Sequence, residues 1–121
     1  MPRYAILEHD FPYRHWDLLL EAADHLRSWR LAEEPRADAS MRAEAIANHR
    51  LLYLDYEGPL SGDRGRVTRW DGGFYTGNVN RESNMTVILE GLRFRGTVAL
   101  EWINGLEWRA TFRSQGDGNE E

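Results

Sequence analysis

Along this 121-residue chain the apolar residues recur mostly with period two, the spacing of half-buried strands. Strands are predicted at Tyr4 to Glu8, His15 to Ala22, Leu26 to Leu31 and Leu51 to Tyr56. Others are predicted at Gly65 to Trp70, Gly73 to Gly77, Met85 to Leu89, Thr97 to Trp102 and Leu106 to Phe112. Turn signals separate them: Gly58-Pro59 with Ser61-Gly62-Asp63, Asp71-Gly72-Gly73, and Asn104-Gly105, the clearest hairpin signal in the chain. Many short strands in succession predict a mainly β fold, a single compact, closed or nearly closed antiparallel barrel with at most a short helix. Trp16, Leu18, Leu20, Trp29, Val67, Val87, Leu89 and Leu100 are expected in its interior. One stretch departs from the pattern. Glu33 to Asn48 is rich in Ala and Glu, which favours a short helix or irregular loop near 38–44 before a strand toward His49. The domain is expected to span 1–114, with an acidic frayed tail over 115–121.

Composition narrows the chemistry. There is no Cys, so disulfides, thiolate metal sites and cysteine nucleophiles are excluded. All 15 basic residues are Arg, which excludes Schiff-base chemistry and a lysyl-nucleotide intermediate. The net charge of −5 argues against coating nucleic acid by charge alone. Local clusters such as Arg64, Arg66 and Arg69, or Arg93 and Arg95, still suit phosphate, or else solvated strand faces. Apolar runs such as Leu18-Leu19-Leu20 are far short of the roughly 20 residues that cross a bilayer. No apolar signal segment opens the chain, and a cytoplasmic protein without membrane contact is expected.

All four histidines lie in the first half, and three of them draw attention: His9-Asp10 and His15-Trp16-Asp17, each with a carboxylate close by, then His49. On a strand His15 and Asp17 project from one face, with Leu19 and Glu21 following, while Trp16, Leu18 and Leu20 fill the other. A hairpin-like turn at Phe11-Pro12-Tyr13 would return His9 beside His15. Two imidazoles and a carboxylate converging in this way suit a divalent ion such as Mn²⁺, Zn²⁺ or Fe²⁺. The spacing is equally that of two surface histidines and a capping Asp. A facial triad completed by His49 is disfavoured, because 34 residues after His15 leave too little chain for a jelly roll between the ligands.

The run Glu8-His9-Asp10, Arg14-His15-Trp16-Asp17-Leu18-Leu19-Leu20-Glu21 and Leu26-Arg27-Ser28-Trp29 resembles the N-terminal phosphoesterase domain of bacterial DNA ligase D. The likeness continues through Asn48-His49-Arg50-Leu51-Leu52-Tyr53 to Glu57-Gly58, then Gly65-x-Val67-x-x-Trp70-Asp71-x-Gly73 and, in looser form, Leu89-x-Gly91 to Gly96. It implies a compact β-barrel with a Mn²⁺-dependent site that trims DNA 3′ ends, removing a terminal phosphate or ribonucleotide. By position it makes His9, His15 and Asp17 the ligands of a divalent metal, Mn²⁺ or Zn²⁺. It gives His49 and Tyr53 catalytic contacts with the scissile phosphate, and Glu21 is a candidate to orient a liganding histidine.

The chain also departs from that pattern. Leu19 stands where the family has an Arg two positions past the metal Asp, and Glu33-Glu34 where it has a basic residue. Leu7 and Ala47 replace polar residues two positions before a histidine. Arg14 and Arg42 are candidates to bind phosphate instead, and an Arg placed at position 19 would be expected to project toward the metal. Three functions follow: a phosphoesterase acting on nucleic-acid 3′ ends or smaller phosphoesters, a degenerate metal-binding or protein-interaction module of the same fold, or a barrel for an unrelated small ligand. The absence of Lys and the short length leave no room for ligase or polymerase parts, so a repair ligase or polymerase is expected as a separate chain.

Overall fold

The computed structural model describes residues 1–79 and 84–115. Nine strands run in order: β1 (Arg3–His9), β2 (His15–Ala22), β3 (His25–Leu31), β4 (Ala39–His49), β5 (Gly58–Pro59), β6 (Arg66–Thr76), β7 (Met85–Gly91), β8 (Arg95–Asn104) and β9 (Glu107–Ser114). All pair antiparallel in the order β1-β2-β3-β4-β9-β8-β7-β6-β5, and a further β1–β6 pairing closes the eight longer strands into a barrel. Closure removes the exposed sheet edges that would otherwise template aggregation. The barrel expected from the alternation is therefore present, and the Asn104-Gly105 hairpin joins β8 to β9. No helix of the described residues is long and apolar enough to cross a membrane. The acidic tail lies outside the described residues beyond Gln115, whose N–H still donates to Arg95 O at 2.9 Å.

Alternate residues of every strand fill the barrel. Tyr4, Ile6, Trp16, Leu18, Leu20, Trp29, Leu31, Val87, Leu89, Val98, Leu100, Trp108 and Phe112 form its core. Trp29 and Trp108 meet edge to face with centroids 5.6 Å apart, as aromatic quadrupoles prefer.

A second cluster lies on the outer face: Ala5, Leu7, Leu19, Leu26, Leu54 and Val67, flanked by Tyr53, Tyr56 and Leu60. Its origin is topological. The chain leaves β4 and must reach β6 beside β1, so residues 50–65 supply residues that pack over the outer side of β1, β2 and β3. That crossing explains why β2 is buried on both faces rather than one. Val67, expected in the barrel, belongs to this outer cluster.

Three sequence expectations are corrected. Only Asp38 of residues 38–44 is in a turn; residues 39–44 form neither helix nor loop but open the eleven-residue strand β4, with Met41 and Ala43 inward and Ser40, Arg42 and Glu44 outward. Ala43 stands opposite Trp108 on β9, so a small residue is accommodated by packing, and tertiary pairing outweighs the helical preference of Ala and Glu. Leu51 to Tyr56 is not a strand: Leu51–Leu54 is a 3₁₀ turn, with Tyr53 N–H on Arg50 O and Asp55 N–H on Leu52 O, both at 3.1 Å. Asp71-Gly72-Gly73 is not a turn but the middle of β6. A Cβ on Gly73 would lie 2.1 Å from the Glu90 carbonyl, so these glycines permit close strand approach. Nearby, the register with β1 slips between Ile6 and Leu7.

Candidate metal centre

β1 and β2 place the histidines. The turn after His9 returns the chain so that His9 and His15 are register partners, with ring centroids 4.9 Å apart. Asp10 closes the end of this hairpin by accepting from Arg66 N–H at 2.8 Å. Strand alternation then sets Asp17 on the same outer face as His15. One donor atom from each of His9, His15 and Asp17 lies within 4.8 Å of the others.

The ring nitrogens are sorted by their partners. His15 Nδ1 donates to Tyr13 O at 2.9 Å, which leaves the Nε2 lone pair. His9 Nε2 donates to Arg64 O at 2.8 Å, which leaves Nδ1. Backbone carbonyls thus fix both tautomers, as in histidines that bind metals. His15 and Asp17 are only 1% and 4% exposed. Their Nε2 and Oδ1 atoms sit 3.4 Å apart, and neither has a hydrogen-bond partner among the described residues.

An unpaired buried carboxylate is costly, and a divalent ion between these atoms removes the cost. Two donors about 2.1 Å from a tetrahedral ion lie roughly 3.4 Å apart, so the pair needs little adjustment. The residues present therefore fit a divalent cation.

His49 and Tyr53 reach the same place from β4 and the 3₁₀ turn. Together with His9, Asp17, Arg30 and Arg64 they line a cleft of about 360 Å³. His49 Nδ1 donates to Ser28 Oγ at 2.9 Å and lies 3.1 Å from Ala47 O, while Ser28 Oγ donates to Leu26 O at 3.0 Å. That arrangement leaves the lone pair on His49 Nε2. The Tyr53 ring packs edge to face on His49 at 5.6 Å. Its carrier, the 3₁₀ turn, is tied to the barrel by Arg3, whose Nη1 and Nη2 donate to Asp55 Oδ2 and Oδ1 at 3.1 and 2.6 Å, and by Arg69 donating to Leu54 O. The Arg3 hydrogen bond holds the Asp55 carboxyl below the usual carboxylate range and raises the Arg3 guanidinium.

Other residues singled out in the sequence are placed elsewhere. Glu21 sits six positions along β2 from His15, about 20 Å at strand rise, and accepts from Arg3 N–H at 2.8 Å. Arg14 pairs with Glu8 at 2.8 Å and stacks over Trp16, a residue of the barrel-facing side of β2. Arg42 lies on the outer face near Glu107, 3.5 Å away, in an adjoining cleft. Glu33 pairs with Arg36, and Glu34 with Arg93 and the Trp70 indole N–H. Leu19, expected to look toward the metal, is wholly buried in the outer apolar cluster.

Sequence reasoning missed Ser28 and Arg30. Ser28 was quoted only as part of a motif, and its partner His49 is 21 residues away. Arg30 is the register partner of Asp17 across β2 and β3, a relationship fixed by strand pairing alone.

The family model for the DNA ligase D 3′-phosphoesterase domain matches residues 7–101, and the chain belongs to that family. It is 33% identical over 79 residues to a multifunctional non-homologous end joining protein LigD of Pseudomonas aeruginosa, covering 61% of this chain and 9% of that protein. It is 33% identical over 116 residues to the multifunctional non-homologous end joining DNA repair protein LigD of Mycobacterium tuberculosis, covering 88% of this chain and 15% of that one. The chain therefore spans only a small part of these relatives' length.

Proposed function

We propose that this protein is a divalent-metal-dependent phosphoesterase that trims 3′ ends of DNA or related phosphoesters in end-joining repair. The observation that carries the reading is the buried, unpartnered pair of His15 Nε2 and Asp17 Oδ1, with His9 beside it at the cleft that His49 and Tyr53 line. Phosphate-ester hydrolysis needs a cation at the non-bridging oxygens, a placed water and a proton donor for the leaving alkoxide. His9, His15 and Asp17 would hold Mn²⁺ or Zn²⁺, which supplies the Lewis acidity. The carbonyls of Tyr13 and Arg64 keep the two imidazoles aimed. His49, anchored through Nδ1 on Ser28, would hydrogen-bond the phosphate or pass a proton to the leaving oxygen from Nε2 as the imidazolium, because the neutral ring with its proton on Nδ1 carries a lone pair at Nε2. Tyr53 is a second hydrogen-bond donor to the phosphate. Glu21 has no part in this arrangement, because its carboxylate is engaged by the Arg3 backbone. Arg14 is committed to Glu8, and Arg42, ion-paired with Glu107 at 3.5 Å, would have to release that carboxylate to meet a more distant phosphate.

The relatives' names place them in non-homologous end joining, and a DNA-end substrate in the cytoplasm is consistent with that. The freed 3′-hydroxyl would pass to ligase and polymerase activities. A second reading, a metal-binding module without catalysis, is favoured by Leu19, whose side chain is buried where the family pattern has Arg.

One assay separates them. Purified protein with Mn²⁺ is given a primer-template ending in a 3′-phosphate, beside His15→Ala. Phosphate release by the wild type that the variant lacks supports the esterase. Metal binding without release supports the module. Release that survives His15→Ala refutes the site.

A further inference from the structure

Among the described residues, Arg30 is an arginine that lines two adjoining clefts. It is the cross-strand neighbour of Asp17, and it lines the metal-side cleft together with His9, His49 and Tyr53. It also lines a second cleft of about 520 Å³, walled by Tyr13, Arg42, Glu44 and Leu106. Its side chain forms the boundary between the two. Arg30 Nε is buried and has no hydrogen-bond partner among the described residues. The guanidinium carbon lies 5.9 Å from the Tyr13 ring, and that ring packs on His15 at 5.7 Å. Of the other arginines nearby, Arg64 donates through Nε and Nη2 to Ser61 and Arg14 pairs with Glu8, while Arg50 also lines the metal-side cleft but is not paired across the strands with Asp17. A buried guanidinium nitrogen left unpaired is costly, and it persists where a ligand supplies the acceptor.

We propose that Arg30 is a phosphate-binding residue. It grips the anionic oxygens of a terminal phosphomonoester at the metal centre, while the rest of the substrate continues past Tyr13 into the adjoining cleft. The inference rests on the phosphoesterase reading above and names the class of substrate: a phosphate carried on a group of nucleoside size. A planar guanidinium offers two parallel N–H donors to a phosphate, and the exposed Tyr13 ring offers a base or sugar a flat apolar face. Asp17 and Arg30 side by side then present opposite charges to one ligand: the carboxylate to the cation, the guanidinium to the phosphate.

The test uses the full chain loaded with Mn²⁺, and compares wild type, Arg30→Gln and Arg30→Lys. Isothermal titration with inorganic phosphate, and with a short oligonucleotide ending in a 3′-phosphate, reads affinity directly, and metal titration reads the centre. Loss of a charge-assisted contact is expected to weaken phosphate binding by about tenfold to a hundredfold in Arg30→Gln. Mn²⁺ affinity should stay within about threefold, and Arg30→Lys should recover part of the phosphate affinity because the charge returns without the fork. If wild type releases phosphate from the oligonucleotide, Arg30→Gln should raise KM more than it lowers kcat. Unchanged phosphate affinity in a folded, Mn²⁺-binding Arg30→Gln protein overturns the proposal and leaves the esterase reading intact. Arg30-dependent phosphate binding without any hydrolysis upholds Arg30 and refutes the esterase. Should Arg30→Gln fail to fold, Arg30→Lys decides alone: wild-type affinity for both phosphate ligands overturns the guanidinium's role, and a several-fold loss supports it.

Discussion

His15 Nδ1 and the carbonyl oxygen of Tyr13, two residues apart, are joined by a 2.9 Å hydrogen bond. A carbonyl only accepts, so the proton sits on Nδ1 and the lone pair on Nε2, toward Asp17. This centre is organised before any cation arrives, and little reorganisation accompanies binding. A ligand that binds only the folded state stabilises it by about 2.7 kcal/mol at a hundred times its dissociation constant. Saturating Mn²⁺ should therefore raise the melting temperature of the wild type by on the order of 10 °C. Differential scanning calorimetry should show no such rise in His15→Ala or Asp17→Asn. A full rise in both variants would place the metal elsewhere.

The bond from His49 Nδ1 to Ser28 Oγ sets a graded expectation for catalysis. Removing the imidazole in His49→Ala should cost about a hundredfold or more in turnover, the usual scale for a proton-transfer group. Ser28→Ala leaves the Ala47 carbonyl as the ring's remaining anchor, so its cost should be smaller, roughly three- to tenfold. Neither variant should alter Mn²⁺ affinity by titration. Loss of metal binding in Ser28→Ala would mean that the hydroxyl supports the fold of the site rather than the aim of His49.

On the far side of β1, Tyr4 Oη donates to Asp71 Oδ2 at 2.8 Å, and the same carboxylate accepts from Leu92, Arg93 and Phe94 N–H. Burial, then the hydrogen bond to Asp71, pushes the Tyr4 phenol well above its ordinary value of about 10. The folded protein therefore holds this proton after the unfolded chain has released it. Stability from Tyr4 is complete below about pH 10 and declines as pH rises beyond it. Denaturant unfolding from pH 8 to 11.5 should show this decline in the wild type and a flatter profile in Tyr4→Phe. Equal slopes in the two proteins would mean the phenol titrates normally. Asp71→Ala, which orphans three backbone N–H groups, should cost several kcal/mol, at about 1–3 kcal/mol for each buried group left unsatisfied.

Particular residues show what the sequence could and could not reveal. Period two identified β2, and the face shared by His15 and Asp17 followed from it without any tertiary knowledge. Pairing of His9 with His15 depended only on a short turn. Beyond these local relations the signal weakened. The 3₁₀ turn at Leu51–Leu54 has the apolar composition of a strand because Leu54 is buried in the outer cluster, and composition does not distinguish the two uses. Gly73 reads as a turn residue, since the close approach of the Glu90 carbonyl that requires Gly there is a contact between strands far apart in sequence. Arg30 was invisible for the same reason. Its neighbour Asp17 lies thirteen residues back, opposite it only because β2 and β3 pair in one register.

Leu19 tests how deeply the crossing segment shapes this site. The residue follows His15 and Asp17 on one strand face, yet it is fully buried, between Ala5 on β1 and Ser28 on β3 and packed with Leu26 and Leu54. The face turns from polar to apolar at this point, where the 3₁₀ turn contributes Leu54 to the cover. An Arg at this position has no carboxylate to meet within that cluster, and a buried unpaired charge destabilises by roughly 3–5 kcal/mol. Leu19→Arg should therefore lower stability by that amount or fail to fold, without tightening phosphate binding. Leu19→Met, which nearly conserves volume, should cost less than about 1.5 kcal/mol and leave both metal and phosphate affinity unchanged. Urea unfolding and phosphate titration on the two variants give the comparison. A stable Leu19→Arg protein that binds phosphate more tightly would mean that residues 50–65 yield readily, and that the outer cluster does not hold the cleft in shape.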